Sequence, residues 1–402
     1  MKKRRCSTDL SGRSRLPFIS LYSIFTILRG VTALLLPLYF FSVGISDLEV
    51  GISIGLFGGS LLVSEIAWGV FFDRVGPDRL ILASATMTAA TYLLVPFVTD
   101  IEGAILVEVL LGVSAPILAV VSRSLVIRQN ESGKWAGGFG LLGAIYALAQ
   151  VVGSLIASLA EPAIHFGNTF YVAAVATAAV YLLYVRSSRR AGVGEGLGDF
   201  REDSAEKEPR PPLDWRGLPL ISLVAVPTFI GYSFFVNIMQ LVVTQTPSIS
   251  ATELQAGIVY SSFWVANVIF QPLLSSRGGR SARYVIATAL AASFGVFALL
   301  TQLNNVWEIA VAGLLEGVCF SAISPLSLSL LMVGIPKRYA GRAMGIYGAA
   351  EDVGVILGPL IGSAVWVQFG LTAAYLTLGA TFLAVLVPYA IAMRHPPAGL
   401  NR

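Results

Sequence analysis

Charged side chains lie inside several long apolar stretches of this chain, where an ionised group is costly. They are five acids and one arginine: Glu65, Glu108, Glu316, Glu351, Asp352 and Arg29. Burial away from water penalises the charged form of a carboxylate, so each acid is a candidate to take up and release a proton. Acids sheltered at several places along one chain therefore predict proton-coupled chemistry.

Arg29 is a fixed positive charge, because a guanidinium does not lose its proton in a protein. It lies about 12 residues from the nearer end of its apolar stretch, too far for the side chain to reach water. It therefore needs a carboxylate or an anionic ligand, and Glu65 is the nearest candidate by topology. A permanent structural pair and a role in binding are both open alternatives.

The elements that hold these residues are apolar stretches long enough to cross a bilayer as helices. Backbone polar groups in lipid are satisfied in helices, which gives an all-α membrane protein. With 55% hydrophobic and 12% charged residues, the composition agrees. We predict twelve transmembrane helices, at 17–43, 49–72, 80–99, 102–127, 136–160, 166–186, 217–244, 253–275, 284–302, 306–333, 340–364 and 371–393.

All of the 27 Lys and Arg residues except Arg29 fall in or beside the two tails, the central segment and every second predicted loop. Basic loops stay in the cytoplasm, so the pattern predicts a multi-pass protein of the cytoplasmic (inner) membrane with both termini cytoplasmic. The net charge of +4 then reflects loops that face anionic lipid, and no nucleic-acid partner is expected.

The twelve helices divide into two related sets of six. A shift of 205 residues superimposes Gly140, Gly143 and Gly153 on Gly345, Gly348 and Gly358. Between the sets, a mixed-charge segment rich in Gly and Pro has little to bury. We predict a tail at 1–16, a six-helix bundle at 17–186, a linker at 187–216, a second six-helix bundle at 217–393 and a tail at 394–402, the tails and the linker all cytoplasmic. Such repeats are typical of transporters with a site at the interface of the halves.

The connection between the second and third predicted helices carries a conspicuous motif, Gly69-x-x-x-Asp73-Arg74-x-Gly76-Pro77-Asp78-Arg79. An aspartate there can cap a helix N-terminus, and the arginines can form ion pairs. The chain resembles the major facilitator superfamily, whose signature loop has this pattern at this place. The resemblance covers the whole chain and implies a cytoplasmic latch between the halves, formed by Gly69, Asp73, Arg74, Gly76, Arg79 and Arg342.

A second motif lies in the eleventh predicted helix, with Gly354, Gly358, Pro359 and Gly362 at spacings that let helices pack closely. It resembles the motif that the drug:proton antiporters of the superfamily carry in their fifth helix. Here the fifth helix has only a degenerate version without the proline. By helical geometry, Glu351 falls on the glycine stripe and Asp352 points away from it. Plain helix packing is the alternative interpretation.

Polar and aromatic residues of the predicted helices form the expected wall of a central cavity. Together with Arg29 these are Tyr146, Gln150, Tyr232, Asn237, Gln240, Trp264 and Asn267. A largely apolar wall with few polar groups suits an amphipathic ligand. Interhelical hydrogen bonding is the alternative role for each of them individually.

These observations predict a monomeric secondary transporter that works by alternating access. We expect proton-coupled export of amphipathic or drug-like small molecules, with proton-coupled uptake of a small organic anion, carboxylate or sugar as the alternative. A membrane sensor or scaffold that does not transport is the alternative from another class. Nucleotide-binding and catalytic motifs are missing, so no enzyme is predicted, and neither a cofactor nor a metal is expected.

Overall fold

The structure is a computed structural model that describes residues 12–75, 77–129, 135–190, 217–275, 281–333 and 340–394. Within these ranges, twelve helices are long and apolar enough to cross a membrane, as the sequence predicts. They are α1 Gly12–Ser42, α2 Asp47–Val75, α3 Pro77–Leu94, α4 Ile101–Gln129, α5 Trp135–Ile164, α6 Phe166–Arg190, α7 Gly217–Asn237, α8 Glu253–Ser275, α9 Ala282–Leu300, α10 Val306–Val333, α11 Ala340–Phe369 and α12 Leu371–Arg394.

Two predicted helices are interrupted near one end. The predicted third helix extended to residue 99, but α3 ends at Leu94 and a 3-10 turn follows at Val95–Phe97, where Pro96 has no backbone N–H to continue the ladder. The predicted seventh helix extended to residue 244, but α7 ends at Asn237 and a short helix, Met239–Gln245, completes the span. At this break the Gln240 side chain donates to the Asn237 carbonyl at 3.0 Å, which satisfies a backbone acceptor within the membrane.

The helices pack as two sets of six. In the first set α1 packs on α5 and α6, and α4 packs on α2 and α3. In the second set α7 packs on α11, α8 on α10, and α9 on α10 and α12. The main contacts between the sets are α5 with α8 and α2 with α11. The predicted all-α fold is confirmed, and four helices form the boundary at which a site between the sets would lie.

Glycines allow the closest helix approaches. A Cβ at Gly354 would lie 2.6 Å from the Val226 carbonyl oxygen, and one at Gly358 would lie 2.5 Å from the Ile230 carbonyl oxygen. The glycine stripe of α11 therefore packs on α7, inside the second set of helices. Gly362 faces the ring of Phe234, and Pro359 lies inside α11 without ending it.

Candidate substrate cavity

The membrane-spanning bundle has two chemically different ends. We call the basic end the one at which α1, α3, α5, α7, α9 and α11 begin, because the connections there hold the clustered Lys and Arg residues. The other end we call the opposite end. Odd-numbered helices begin at the basic end and even-numbered helices begin at the opposite end. Because a helix rises by about 1.5 Å per residue, the position of a residue along its helix gives its depth between the two ends.

A cavity of about 350 Å³ lies between the two sets of helices. Its deepest lining residues are in mid-span, at Ala33, Gln150 and Asn237, and the lining continues toward the basic end as far as Tyr22, Ser122 and Leu328. Both sets contribute. The predicted site residues on its wall are Arg29, Glu65, Tyr146, Gln150, Tyr232, Asn237, Trp264, Glu351 and Asp352.

Arg29 is half-buried and belongs to the deep part of the cavity. Its guanidinium lies over the ring of Phe57 at 5.1 Å from the centroid, a cation–π contact. The Tyr146 hydroxyl is within hydrogen-bonding reach, and Tyr92 and Tyr232 are close enough to interact electrostatically. The Arg29 charge acts electrostatically on Glu108 of α4. Glu65, the partner that topology suggested, lies eight residues beyond Phe57 along α2, about 12 Å of helix rise.

Aromatic rings cover the cavity wall on the side of the second set. Tyr232 stacks on Phe320 at 5.2 Å between centroids and meets Trp264 edge-on at 5.7 Å. Tyr146 of the first set completes the group, with its ring edge-on to Trp264 at 5.3 Å. Such ring pairs are rigid and amphipathic, so this wall can hold a flat apolar body while the hydroxyl groups face polar neighbours.

The acids of α2 and α11 lie nearer to the basic end. Contacts at Gly58 with Ile356 and at Gly55 with Leu360 fix the antiparallel register of these helices. In that register Glu65 lies beside Gly348, and its Oε2 is 3.8 Å from where a Cβ of that glycine would be. Glu351 and Asp352 both line the cavity. The sequence analysis placed Glu351 on the glycine stripe and Asp352 away from it, but both residues line the cavity.

Four predicted site residues lie off the cavity wall. Glu316 and Gln240 are each 1% exposed, and Glu316 accepts a hydrogen bond from Ser293 of α9 at 3.2 Å. Asn267 joins α8 to α10 by accepting from Ser321 at 3.0 Å, a purely interhelical bond. Glu108 is 5% exposed and lies behind the wall. The structure gives Gln240 and Asn267 hydrogen bonds that hold helices together.

The residues of the predicted latch are only partly described. Gly76 lies outside the described residues, and the side chains of Asp73, Arg74 and Arg342 are also outside the description. Arg79 is exposed, and Asp78 accepts a hydrogen bond from Tyr184 of α6 at 2.9 Å. The latch therefore stays a prediction.

Several cavity residues were not anticipated from the sequence. Phe57, Tyr92, Tyr260 and Phe320 line the wall, together with Gln271. They are single aromatic or polar residues in apolar helices, and such residues occur equally on faces buried within one set. A signal was present only for Tyr260, which lies one turn before Trp264 on the same face.

The halves are joined by hydrogen bonds on the side of the cavity nearer to the opposite end. Tyr260 of α8 donates to Gln150 Oε1 of α5 at 2.7 Å, and the hydroxyls of Ser154 and Ser261 are 2.7 Å apart. One turn further, Gly257 packs against the Ser158 side chain. The opposite end is therefore closed by direct packing, while the cavity extends toward the basic end.

We expect Tyr260→Phe to weaken this closure. The substitution leaves Gln150 Oε1 buried without its donor, which costs roughly 1–3 kcal/mol in the conformation seen here. The distance between spin labels at the exposed positions Ala163 and Thr252, measured by electron–electron resonance, should gain a longer component. Tyr171→Phe, at an exposed tyrosine of α6, is the matched control and should leave the distribution as in the wild type. Equal distributions in all three proteins would contradict a role for this bond in closure.

The family comparison agrees with the resemblance seen in the sequence. The chain matches the sequence model of the Major Facilitator Superfamily over residues 18–248 and again over residues 221–402. It is 26% identical over 379 residues to the multidrug resistance protein MdtG of Proteus mirabilis, which covers 90% of this chain and 91% of that protein. It is 25% identical over 364 residues to the inner membrane transport protein YajR of Escherichia coli, covering 88% and 77% respectively.

Solved structures show the same fold at lower identity. The nucleoside transporter NupG matches with a TM-score of 0.72 at 16% identity, covering 96% of this chain and 100% of that chain. The human organic anion transporter MFSD10 matches with a TM-score of 0.65 at 13% identity, covering 94% and 100%. At these identities the likeness is one of fold.

Within the part of the chain that the structure describes, twelve helices long and apolar enough to cross a membrane lie in two sets around a cavity with charged wall residues. This arrangement defines the chain as a multi-pass membrane transporter. The matches over both halves make the assignment more specific. The chain belongs to the major facilitator superfamily, and it is not an enzyme.

Proposed function

We propose that this transporter exports amphipathic, drug-like small molecules in exchange for protons. The observation that carries the proposal is the cavity, whose wall combines aromatic rings with one arginine and the acids Glu65, Glu351 and Asp352. The rings can bind a flat apolar body, and the acids can exchange protons with the membrane face to which the cavity leads. The likeness to a protein named for multidrug resistance supports export.

The orientation is part of the proposal. The basic end is assigned to the cytoplasm because basic loops are retained there. The structure then corresponds to an inward-facing conformation, with the cavity reaching toward the cytoplasm and the opposite end packed shut. Alternation would separate α5 from α8 and α2 from α11 at that end while the basic end closes. The proposed latch, with Asp73 near Arg342, would hold the closed basic end. We also propose that the transporter acts as a monomer.

Replacing each of the five acids by its amide tests proton coupling. We expect roughly tenfold or greater loss of gradient-driven flux in at least one of Glu65→Gln, Glu351→Gln and Asp352→Asn, because these acids line the cavity. Glu316→Gln, remote from the wall, should keep most of the flux. Proteoliposomes with an imposed pH gradient and a lipophilic fluorescent dye give the measurement. Wild-type flux in all five variants, including Glu108→Gln, would contradict the proposed proton coupling.

Proton-coupled uptake of a small organic anion, carboxylate or sugar is the second candidate function. The position of Arg29 on the cavity wall favours an anion. Thermal-shift measurements with lipophilic cations, sugars and carboxylates would separate the two candidates. Stabilisation by carboxylates but not by lipophilic cations would favour uptake. A protein that binds but never moves its ligand in proteoliposomes would instead be a sensor of the same fold.

A further inference from the structure

Glu108 lies just beyond the deep end of the cavity. It is 5% exposed, and no hydrogen bond to its carboxyl group is found among the described residues. One turn further along α4, a Cβ at Gly112 would lie 2.5 Å from the Phe57 carbonyl oxygen, so α4 touches α2 at this depth. Arg29 covers the ring of that same Phe57. The carboxyl group therefore lies about one helical turn from the residue on which the guanidinium rests.

Arg29 and Glu108 interact without forming a contact ion pair. No ion pair of Arg29 is found within the described ranges. The Arg29 charge acts electrostatically on Glu108, and Tyr92 interacts with both residues. Arg29 lines the cavity and Glu108 does not. A ligand can thus reach the guanidinium from one side while the carboxyl group stays behind it.

We propose that Arg29 binds an anionic group of the substrate and that the protonation of Glu108 sets how strongly it does so. The inference deepens the second candidate function, proton-coupled uptake of an organic anion, because positive linkage moves proton and substrate in the same direction. It rests on that function in one respect, that the substrate enters this cavity. An ionised Glu108 offsets the field of Arg29 and repels an incoming anion. A protonated Glu108 is neutral and leaves the full positive charge available. Proton binding and anion binding then favour each other, as reciprocal linkage requires.

The ligand class follows from the neighbours of Arg29. The guanidinium lies over the Phe57 ring, with the Tyr146 hydroxyl within hydrogen-bonding reach and Tyr232 close enough to interact electrostatically. The favoured ligand therefore carries its sulfonate, carboxylate or phosphate group on an aromatic body. Among the described residues packed around Glu108, the groups that face it are Arg29 from α1 and Tyr92 from α3. The nearest acid on α2 is Glu65, about 12 Å of helix rise from Phe57. In the register of α2 and α11, the cavity acid Asp352 lies about five residues from the level of Phe57, roughly 8 Å of helix rise, so Glu108 is the nearer acid in depth.

The test measures binding of 2-naphthalenesulfonate, which stays ionised across the pH range used, to the purified full chain by titration calorimetry. We expect wild-type affinity to fall roughly tenfold between pH 5.5 and pH 8.5, because an ionised Glu108 offsets the field of Arg29 and a protonated Glu108 does not. Glu108→Gln should bind tightly at both pH values. Arg29→Gln should bind about tenfold more weakly at pH 5.5 and lose the pH dependence.

Four controls make the result specific. The neutral 2-naphthalenesulfonamide should bind with little pH dependence, because it has no charge for Arg29 to attract. Glu316→Gln, at an acid equally buried but off the cavity, and Glu65→Gln, at a cavity acid of another depth, should keep the wild-type pH dependence. Arg29→Lys retains the charge and should keep the pH dependence even if Arg29→Gln fails to fold.

Wild-type pH dependence in Glu108→Gln would overturn the proposal, and so would a sulfonate that binds no more tightly than the sulfonamide. Loss of the pH dependence in Glu65→Gln instead would also overturn it, because the controlling acid would be elsewhere. These are binding measurements at equilibrium. Failure of the proposed transport would appear separately, as absent gradient-driven flux in proteoliposomes with binding intact.

Discussion

Replacing Gly51 with leucine is expected to abolish turnover while the protein still folds. In the structure a Cβ at this position would lie 2.6 Å from the Ser363 Cβ and 3.0 Å from the Pro359 carbonyl oxygen, so α2 and α11 leave no room for a side chain. The contact lies near the opposite end, which opens during alternation. A clash of about 3 kcal/mol that exists only while the opposite end is closed shifts the conformational equilibrium roughly 150-fold toward the conformation in which that end is open.

Spin labels at Ser46 and Gln368, both exposed at the opposite end, provide the measurement. In Gly51→Leu the distance between them should lengthen, and flux in proteoliposomes should fall at least tenfold. Gly59→Leu is the matched control, because it adds the same side chain to the same helix at a glycine with nothing within 4 Å. A Gly51→Leu protein with wild-type flux and wild-type label distances would show that this contact does not close the transporter.

Replacing Gly153 with alanine is expected to destabilise the fold itself. A Cβ there would overlap the Ile27 carbonyl oxygen and would lie 2.9 Å from both Gly30 Cα and Val31 N, so only backbone displacement could relieve the clash. This contact lies between α1 and α5 within one set of helices, and alternation between the sets does not relieve it. We expect the free energy of unfolding to fall by about 2–3 kcal/mol. This net value already includes the gain in helix propensity from Gly to Ala, which is up to about 1 kcal/mol.

Thermal unfolding in detergent gives the comparison. Gly295→Ala is the matched control, since Gly295 faces open space in α9 and the same substitution there should leave the midpoint unchanged or raise it slightly. Gly153→Ala should unfold several degrees lower or fail to accumulate in the membrane. Equal midpoints for the two variants would mean that α1 and α5 can separate at little cost.

Much of this architecture could be predicted from the sequence. The apolar stretches predict twelve helices because a chain in lipid must satisfy its backbone hydrogen bonds internally. The end of α7 at Asn237 was not predicted, because a side-chain hydrogen bond to the Asn237 carbonyl, rather than a change in composition, marks it. Most members of the predicted cavity wall line the cavity, including Arg29, Tyr146, Tyr232 and Trp264. They are aromatic or polar residues near mid-span, as are Gln240 and Asn267, which form hydrogen bonds away from the cavity.

The sequence did not separate cavity acids from buried ones. Glu316 and Glu351 look alike along the chain, yet Glu351 lines the cavity and Glu316 bonds to Ser293 inside the second set. In a soluble helix the polar face marks the outside. Here lipid and protein interior are both apolar, so periodicity does not show which face of a helix meets water.

The sequence by itself therefore determined how often the chain crosses the membrane, that its halves are repeated, and that it carries costly charges within the bilayer. Only the tertiary structure decided how those charges lie relative to one another. It placed Glu108 within electrostatic reach of Arg29, because the close contact at Gly112 brings α4 to the level of Phe57. Such register is set by the packing of side chains between helices, and no pattern within a single helix contains it.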